Sequence, residues 1–74
     1  MKANRIVINY EGSAVPQNVA EKLGIFPYVI FVRKDGWSLG APREFADTAF
    51  DMWAGSWDHY IIDGVEYPIE EYVE

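Results

Sequence analysis

The chain has no cysteine and a single histidine, His59, in 74 residues. Neither a disulfide framework nor a Cys/His zinc site can be assembled from that inventory. The lack matters, because a domain this short buries only about 60% of its unfolded surface and small scaffolds usually add such staples. Long apolar runs are missing too. The longest stretch, Ile25 to Val32, is interrupted by Pro27 and falls well below the ~18 residues of a membrane span. Met1 to Tyr10 carries neither an apolar core nor a small-residue cleavage site, which reads as no signal peptide. With no cysteine to oxidise, a reducing compartment suits the chain. The expectation is a soluble cytoplasmic protein without membrane contact.

Lys and Arg are absent beyond residue 43. Residues 1–43 hold all six (Lys2, Arg5, Lys22, Arg33, Lys34, Arg43) against three acids, whereas residues 44–74 hold nine acids and no Lys or Arg. A formal +3 segment followed by a −9 segment gives the net −6. Direct nucleic-acid binding is disfavoured, since phosphate contacts need clustered cations. A charged partner of opposite sign is favoured, such as a larger protein with a basic surface.

Aromatic residues are plentiful. Twelve of them, including Trp37, Trp53, Trp57, Phe31 and Phe50, can each bury roughly 150–250 Å², so an ordered core is within reach. No repeat, linker or low-complexity tract divides the chain, and residues 1–74 read as one domain. Arg5 to Tyr10 predicts a strand with Ile6, Ile8 and Tyr10 on one face. Val15 to Gly24 predicts a short helix with Val15, Val19 and Leu23 as its apolar stripe, opened by Pro16 and stopped by Gly24. Tyr28 to Val32 is apolar on both faces, as in a central strand. Asp35-Gly36 signals a two-residue hairpin leading into Trp37-Ser38-Leu39. Pro42 to Ala54 predicts the main helix, with Phe45, Ala46, Ala49, Phe50 and Trp53 buried and Glu44, Asp47 and Asp51 exposed. His59 to Ile62 and Val65 to Tyr67, joined by Asp63-Gly64, predict a second hairpin that Pro68 ends. Ile69 to Val73 reads as a helical turn or an irregular tail. The fold class is α+β: a mostly antiparallel sheet, about β-α-β-β-α-β-β, with its helices packed mainly on one face.

Catalytic chemistry finds little support. Asp58-His59 and the serines Ser13, Ser38 and Ser56 supply the letters of a hydrolase triad, but no G-x-S-x-G elbow occurs and a triad is defined by geometry. The glycines fall singly at the ends of elements, so neither a phosphate loop nor a dinucleotide fingerprint is present. Asp63, Glu66, Glu70 and Glu71 lack the spacing of a calcium loop. The expectation is a non-enzyme with no cofactor and no metal.

Two readings of the acids compete. Glu44, Asp47, Asp51, Asp58, Asp63, Glu66, Glu70, Glu71 and Glu74 can be an ordinary solvated surface. They can equally form one continuous negative face that docks on an Arg/Lys-rich site and steers encounter. The complete lack of interspersed cations favours docking, because ordinary surfaces mix both signs. Three tryptophans exceed what a small core easily encloses, so Trp37 and Trp57, off the helix stripe, are expected to be exposed as binding anchors. The partner-binding candidates are thus Glu44, Asp47, Asp51, Trp57, Asp58, Asp63, Glu66, Glu70, Glu71 and Trp37. In size, acidity and lack of catalytic signature the chain looks like phage or mobile-element proteins that inhibit a host nuclease or polymerase, some by mimicking nucleic-acid charge. That is a likeness of class, not of motif. The expected function is a small acidic interaction or inhibitor module that blocks a basic, nucleic-acid-binding site on a larger protein. The rival is a homo-oligomeric binder of a small molecule or nucleotide, with Tyr28 to Val32 as the seam of a homodimer and Trp37 or Trp57 lining the interface.

Overall fold

A computed structural model describes residues 5–9 and 11–72. Its elements are β1 (Arg5–Ile8), β2 (Ala14–Pro16), α1 (Gln17–Lys22), β3 (Val29–Arg33), β4 (Ser38–Ala41), α2 (Ala46–Met52), β5 (Trp57–Ile62) and β6 (Val65–Pro68). Short 3-10 turns at Arg43–Phe45 and Ile69–Glu71 complete them. Six strands form one sheet in the order β2-β1-β4-β3-β5-β6, antiparallel except for the β1–β4 pair. The fold is the expected small α+β domain with a mostly antiparallel sheet.

The register aligns side chains into rows across the sheet. Ile6, Leu39, Phe31, Tyr60 and Tyr67 are successive partners from β1 to β6. This row faces the main core, where α2 lays Ala46 and Ala49 against the sheet beside Val29, Leu39 and Ala41. Both 3-10 turns sit on that same side, supplying Phe45 and Ile69, and Tyr72 follows the second. Phe31 is fully buried at the centre, with the rings of Phe50, Trp57, Tyr60 and Tyr72 all between 5.0 and 6.2 Å from its own. Aromatic burial thus supplies the compensation that a chain without staples needs.

The two hairpin turns differ although both are Asp-Gly. Asp63 and Gly64 both have positive φ, 53° and 78°, and Ile62 pairs directly with Val65, which is a two-residue type I′ turn. At the first hairpin only Gly36 has positive φ, Gly36 N–H donates to the Arg33 carbonyl, and Arg33 N–H donates to Trp37. That is a three-residue loop with a glycine bulge, so the expected two-residue turn is corrected there. Asp35 explains the choice: its carboxylate accepts from the Trp37 N–H at 3.2 Å and from Arg33 at 2.5 Å. Those donors, the Trp37 N–H first, hold its carboxyl below the usual range.

The N-terminal third departs furthest from expectation. The first strand ends at Ile8 because Asn9 turns the chain, its side-chain oxygen accepting from the N–H groups of Glu11 and Ser13 at 2.9 Å each. Tyr10, expected to extend that strand, lies outside the described residues. Val15 then belongs to β2, paired with Val7, not to a helix. With Val15 removed from helical spacing the stripe dissolves: Leu23 is 64% exposed, Val19 is exposed, and Ala20 is the buried residue of α1. This short helix covers the other side of the sheet at the β1 end, where Val7 lies beneath it. There Pro27 sits over Gly40 so closely that a Cβ at position 40 would stand 2.7 Å from the Pro27 Cβ.

Candidate functional site

The acidic candidates are all exposed, but the sheet separates them into groups. Glu44, Asp47 and Asp51 project from α2 and the turn before it, and Glu70 and Glu71 from the turn after β6. These five share the core-covering side of the molecule. Tyr72 ties the two segments together by donating its hydroxyl to Asp47 at 2.6 Å across 25 residues of sequence. Burial foremost, then that bond and the charges of Asp47 and Asp51, push the Tyr72 phenol well above its ordinary value. Burial and then Glu71 raise Tyr60 in the same direction. Among the described residues no Lys, Arg or His forms an ion pair with any of the five carboxylates.

Asp58 and Glu66 lie on the opposite side, flanking His59. The imidazole Nδ1 is 2.8 Å from Asp58 Oδ2 and 3.8 Å from Glu66 Oε2. Asp63 stands apart at the tip of the last hairpin. The expected single continuous face is therefore corrected to one five-carboxylate surface, a separate acidic pair around His59, and an isolated turn residue. Glu74 lies outside the described residues.

Trp57 requires a second correction. It is 2% exposed, and its indole N–H donates to the Phe50 carbonyl at 2.9 Å. That carbonyl lies in the last turn of α2, where helix geometry leaves acceptors unpaired, so the ring both fills the core and caps the helix. A bulge makes this arrangement possible. Val32 pairs with His59 while Arg33 pairs with Trp57, leaving Asp58 as the extra residue. Trp57 and Tyr60, three apart, consequently both face the core, which strict alternation forbids. Trp37 is 36% exposed and remains available at the surface. Trp53, not among the candidates, is half-buried with the Arg33 guanidinium 4.8 Å over its ring.

Beside the five-carboxylate surface is a shallow hollow of about 270 Å³ lined by Lys34, Phe50, Gly55, Trp57, Ile69 and Glu70. Its floor is aromatic and aliphatic, and its rim carries one charge of each sign. No group of three or more His, Asp or Glu side chains is placed to hold a metal ion among the described residues. No helix of those residues is long and apolar enough to cross a membrane. No protein family, curated protein or solved structure matches the chain.

Proposed function

We propose that the protein is an interaction module whose surface of Glu44, Asp47, Asp51, Glu70 and Glu71 docks on a basic site of a larger protein, blocking what that site would otherwise bind. The observation that carries the reading is that two segments far apart in sequence contribute five exposed carboxylates to one side, joined through Tyr72 and Asp47 and unpaired with any described cation. An excess of negative charge raises the encounter rate with an oppositely charged surface. The hollow beside Glu70 adds an apolar floor on which the aliphatic stem of a partner's Lys or Arg can lie while its charged head reaches the carboxylate. The mode of action is occupancy, without bond-making chemistry. A basic groove that ordinarily holds nucleic acid is the natural target, because its cations are already arranged for a run of negative charges.

Affinity capture from lysate with this protein as bait, washed in low and high salt and read by mass, tests the proposal together with a charge-reversed variant carrying Asp51→Lys, Glu70→Lys and Glu71→Lys. Asp47 is left intact because Tyr72 bonds to it. The expected result is a captured protein with a basic surface, released near 1 M salt, where screening acts over ~3 Å, and bound at least tenfold more slowly by the variant. Capture that survives both high salt and charge reversal in a folded variant rules the acidic surface out as the docking site.

A further inference from the structure

The hollow beside Glu70 has one feature that an internal Lys or Arg of a partner does not satisfy. Lys34 stands on the same rim, and a basic side chain that enters toward Glu70 meets its positive charge. Among the described residues neither Lys34 nor Glu70 forms an ion pair, with the other or with any third group. The hollow thus presents an anion and a cation, separated over an apolar floor of Phe50, Trp57 and Ile69.

The backbone fixes both ends and the floor. Lys34 N–H donates to the Ser56 carbonyl at 3.1 Å, and Ser56 N–H to the Trp53 carbonyl at 3.0 Å, which sets Lys34 beside the turn that contains Gly55. Gly55 also lines the hollow, its N–H donates to no described carbonyl, and a Cβ there would meet nothing within 4 Å. An anion at this end finds an ammonium next to a bare stretch of backbone. Arg33, the neighbouring cation, is already engaged by Asp35. Glu70 is carried by the 3-10 turn Ile69–Glu71. Between the two ends, Trp57 is held by its bond to the Phe50 carbonyl, and the Phe50 ring lies 4.9 Å from Tyr72 and 5.8 Å from Phe31. A floor so packed needs no ordering when a ligand arrives.

The charges select the occupant. A ligand with only a cation is opposed by Lys34, and one with only an anion by Glu70 and Glu71. Free lysine carries both signs, but it brings its α-ammonium to the Lys34 end, where a chain terminus has an uncharged amide. A lysine or arginine at the end of a chain places a cation at one end, a carboxylate at the other and an apolar stem between them. We infer that the hollow binds the C-terminal Lys or Arg of a partner protein: its side-chain cation on Glu70, its stem over Phe50 and Ile69, and its α-carboxylate on Lys34 and the Gly55 N–H. The inference rests on the docking reading for the partner's basic character and adds which residue of that partner enters the surface.

Amide NMR of the isotope-labelled full chain provides the test. The first probe is ε-aminocaproate, an apolar stem with an ammonium at one end and a carboxylate at the other. It is expected to shift the Gly55 and Glu70 amides saturably, with half-saturation near 1 mM, the range of weak specific complexes. Pentylamine, without the carboxylate, and caproate, without the ammonium, should bind at least tenfold more weakly. A short peptide ending in lysine should bind like ε-aminocaproate, and the same peptide with an amidated C-terminus at least tenfold more weakly. Lys34→Gln and Glu70→Gln, both at exposed positions where folding is little affected, should each weaken ε-aminocaproate at least tenfold. No saturation by about 10 mM, equal binding of the amidated peptide, or affinity indifferent to either substitution overturns the inference. Such a failure leaves salt-sensitive capture by the acidic surface standing. Capture indifferent to charge reversal, with ε-aminocaproate still bound, removes the docking reading and keeps the site.

Discussion

Tyr72 shows how one hydroxyl can serve stability and surface chemistry together. Its ring meets Phe31 edge-on at 5.0 Å and lies 4.9 Å from Phe50, while its oxygen reaches Asp47. Removing only the oxygen, by Tyr72→Phe, should cost about 1 kcal/mol near neutral pH, the usual net worth of a hydrogen bond. The alkaline limb carries a second signature. Because the folded phenol titrates above its unfolded value of ~10, its contribution is complete below that pH and is lost as pH rises beyond it, where the unfolded state ionises first. Chemical denaturation of Tyr72→Phe at rising pH should therefore show a shallower loss of stability above pH ~10. Some slope should persist, because Tyr60 is shifted in the same direction. An unchanged alkaline slope would mean that the Tyr72 phenol is neither buried nor bonded to Asp47 in solution.

At the scale of elements, α2 puts an acid where a helix prefers a cation. Asp51 is next to the last residue, and the final turn contains no basic side chain. Carboxylates at a helix C-terminus oppose the backbone dipole by about 0.3–1 kcal/mol. Asp51→Lys should accordingly raise stability by a few tenths of a kcal/mol or more in thermal or denaturant unfolding, even as the proposed function requires it to weaken docking. The elements themselves were readable where one local signal dominated. The stripe of α2, the doubly apolar run around Phe31 and the turn at Asp63-Gly64 each depend on neighbouring residues, so sequence spacing sufficed. Val15 and Trp57 escaped that logic for two separate reasons. The first was drawn into a strand by pairing with Val7, a tertiary choice that a four-residue spacing cannot reveal. The second turned inward because a bulge at Asp58 shifted the alternation, and its inward position was further fixed by an unpaired carbonyl in a different element. The acidic site was legible in composition but not in layout, since only the sheet decides which carboxylates share a side.

For the molecule as a whole, the sheet divides two kinds of surface: one acidic, the other carrying the half-buried apolar strip of Ile30, Val32 and Ile61. The strand order holds a further consequence, which concerns time. Except for Ile6 and Ile8, the main core and the residues packed against it come from residues 29–72, and two of that segment's pairings are tight hairpins. β1 joins through its parallel alignment with β4, matching Arg5 to Ser38 across 33 residues. Closing so long a loop costs entropy before any contact rewards it. The β1–β2 hairpin should then dock after the rate-limiting barrier, onto a scaffold already assembled. Val7→Ala, at a buried position of β1, should speed unfolding measured by stopped flow while leaving the refolding rate nearly unchanged. A refolding rate that falls along with stability would place β1 in the nucleus instead. If it docks late, β1 and β2 are the part of the fold that opens on its own, exposing the N–H groups of β1 to hydrogen exchange well before those of β3.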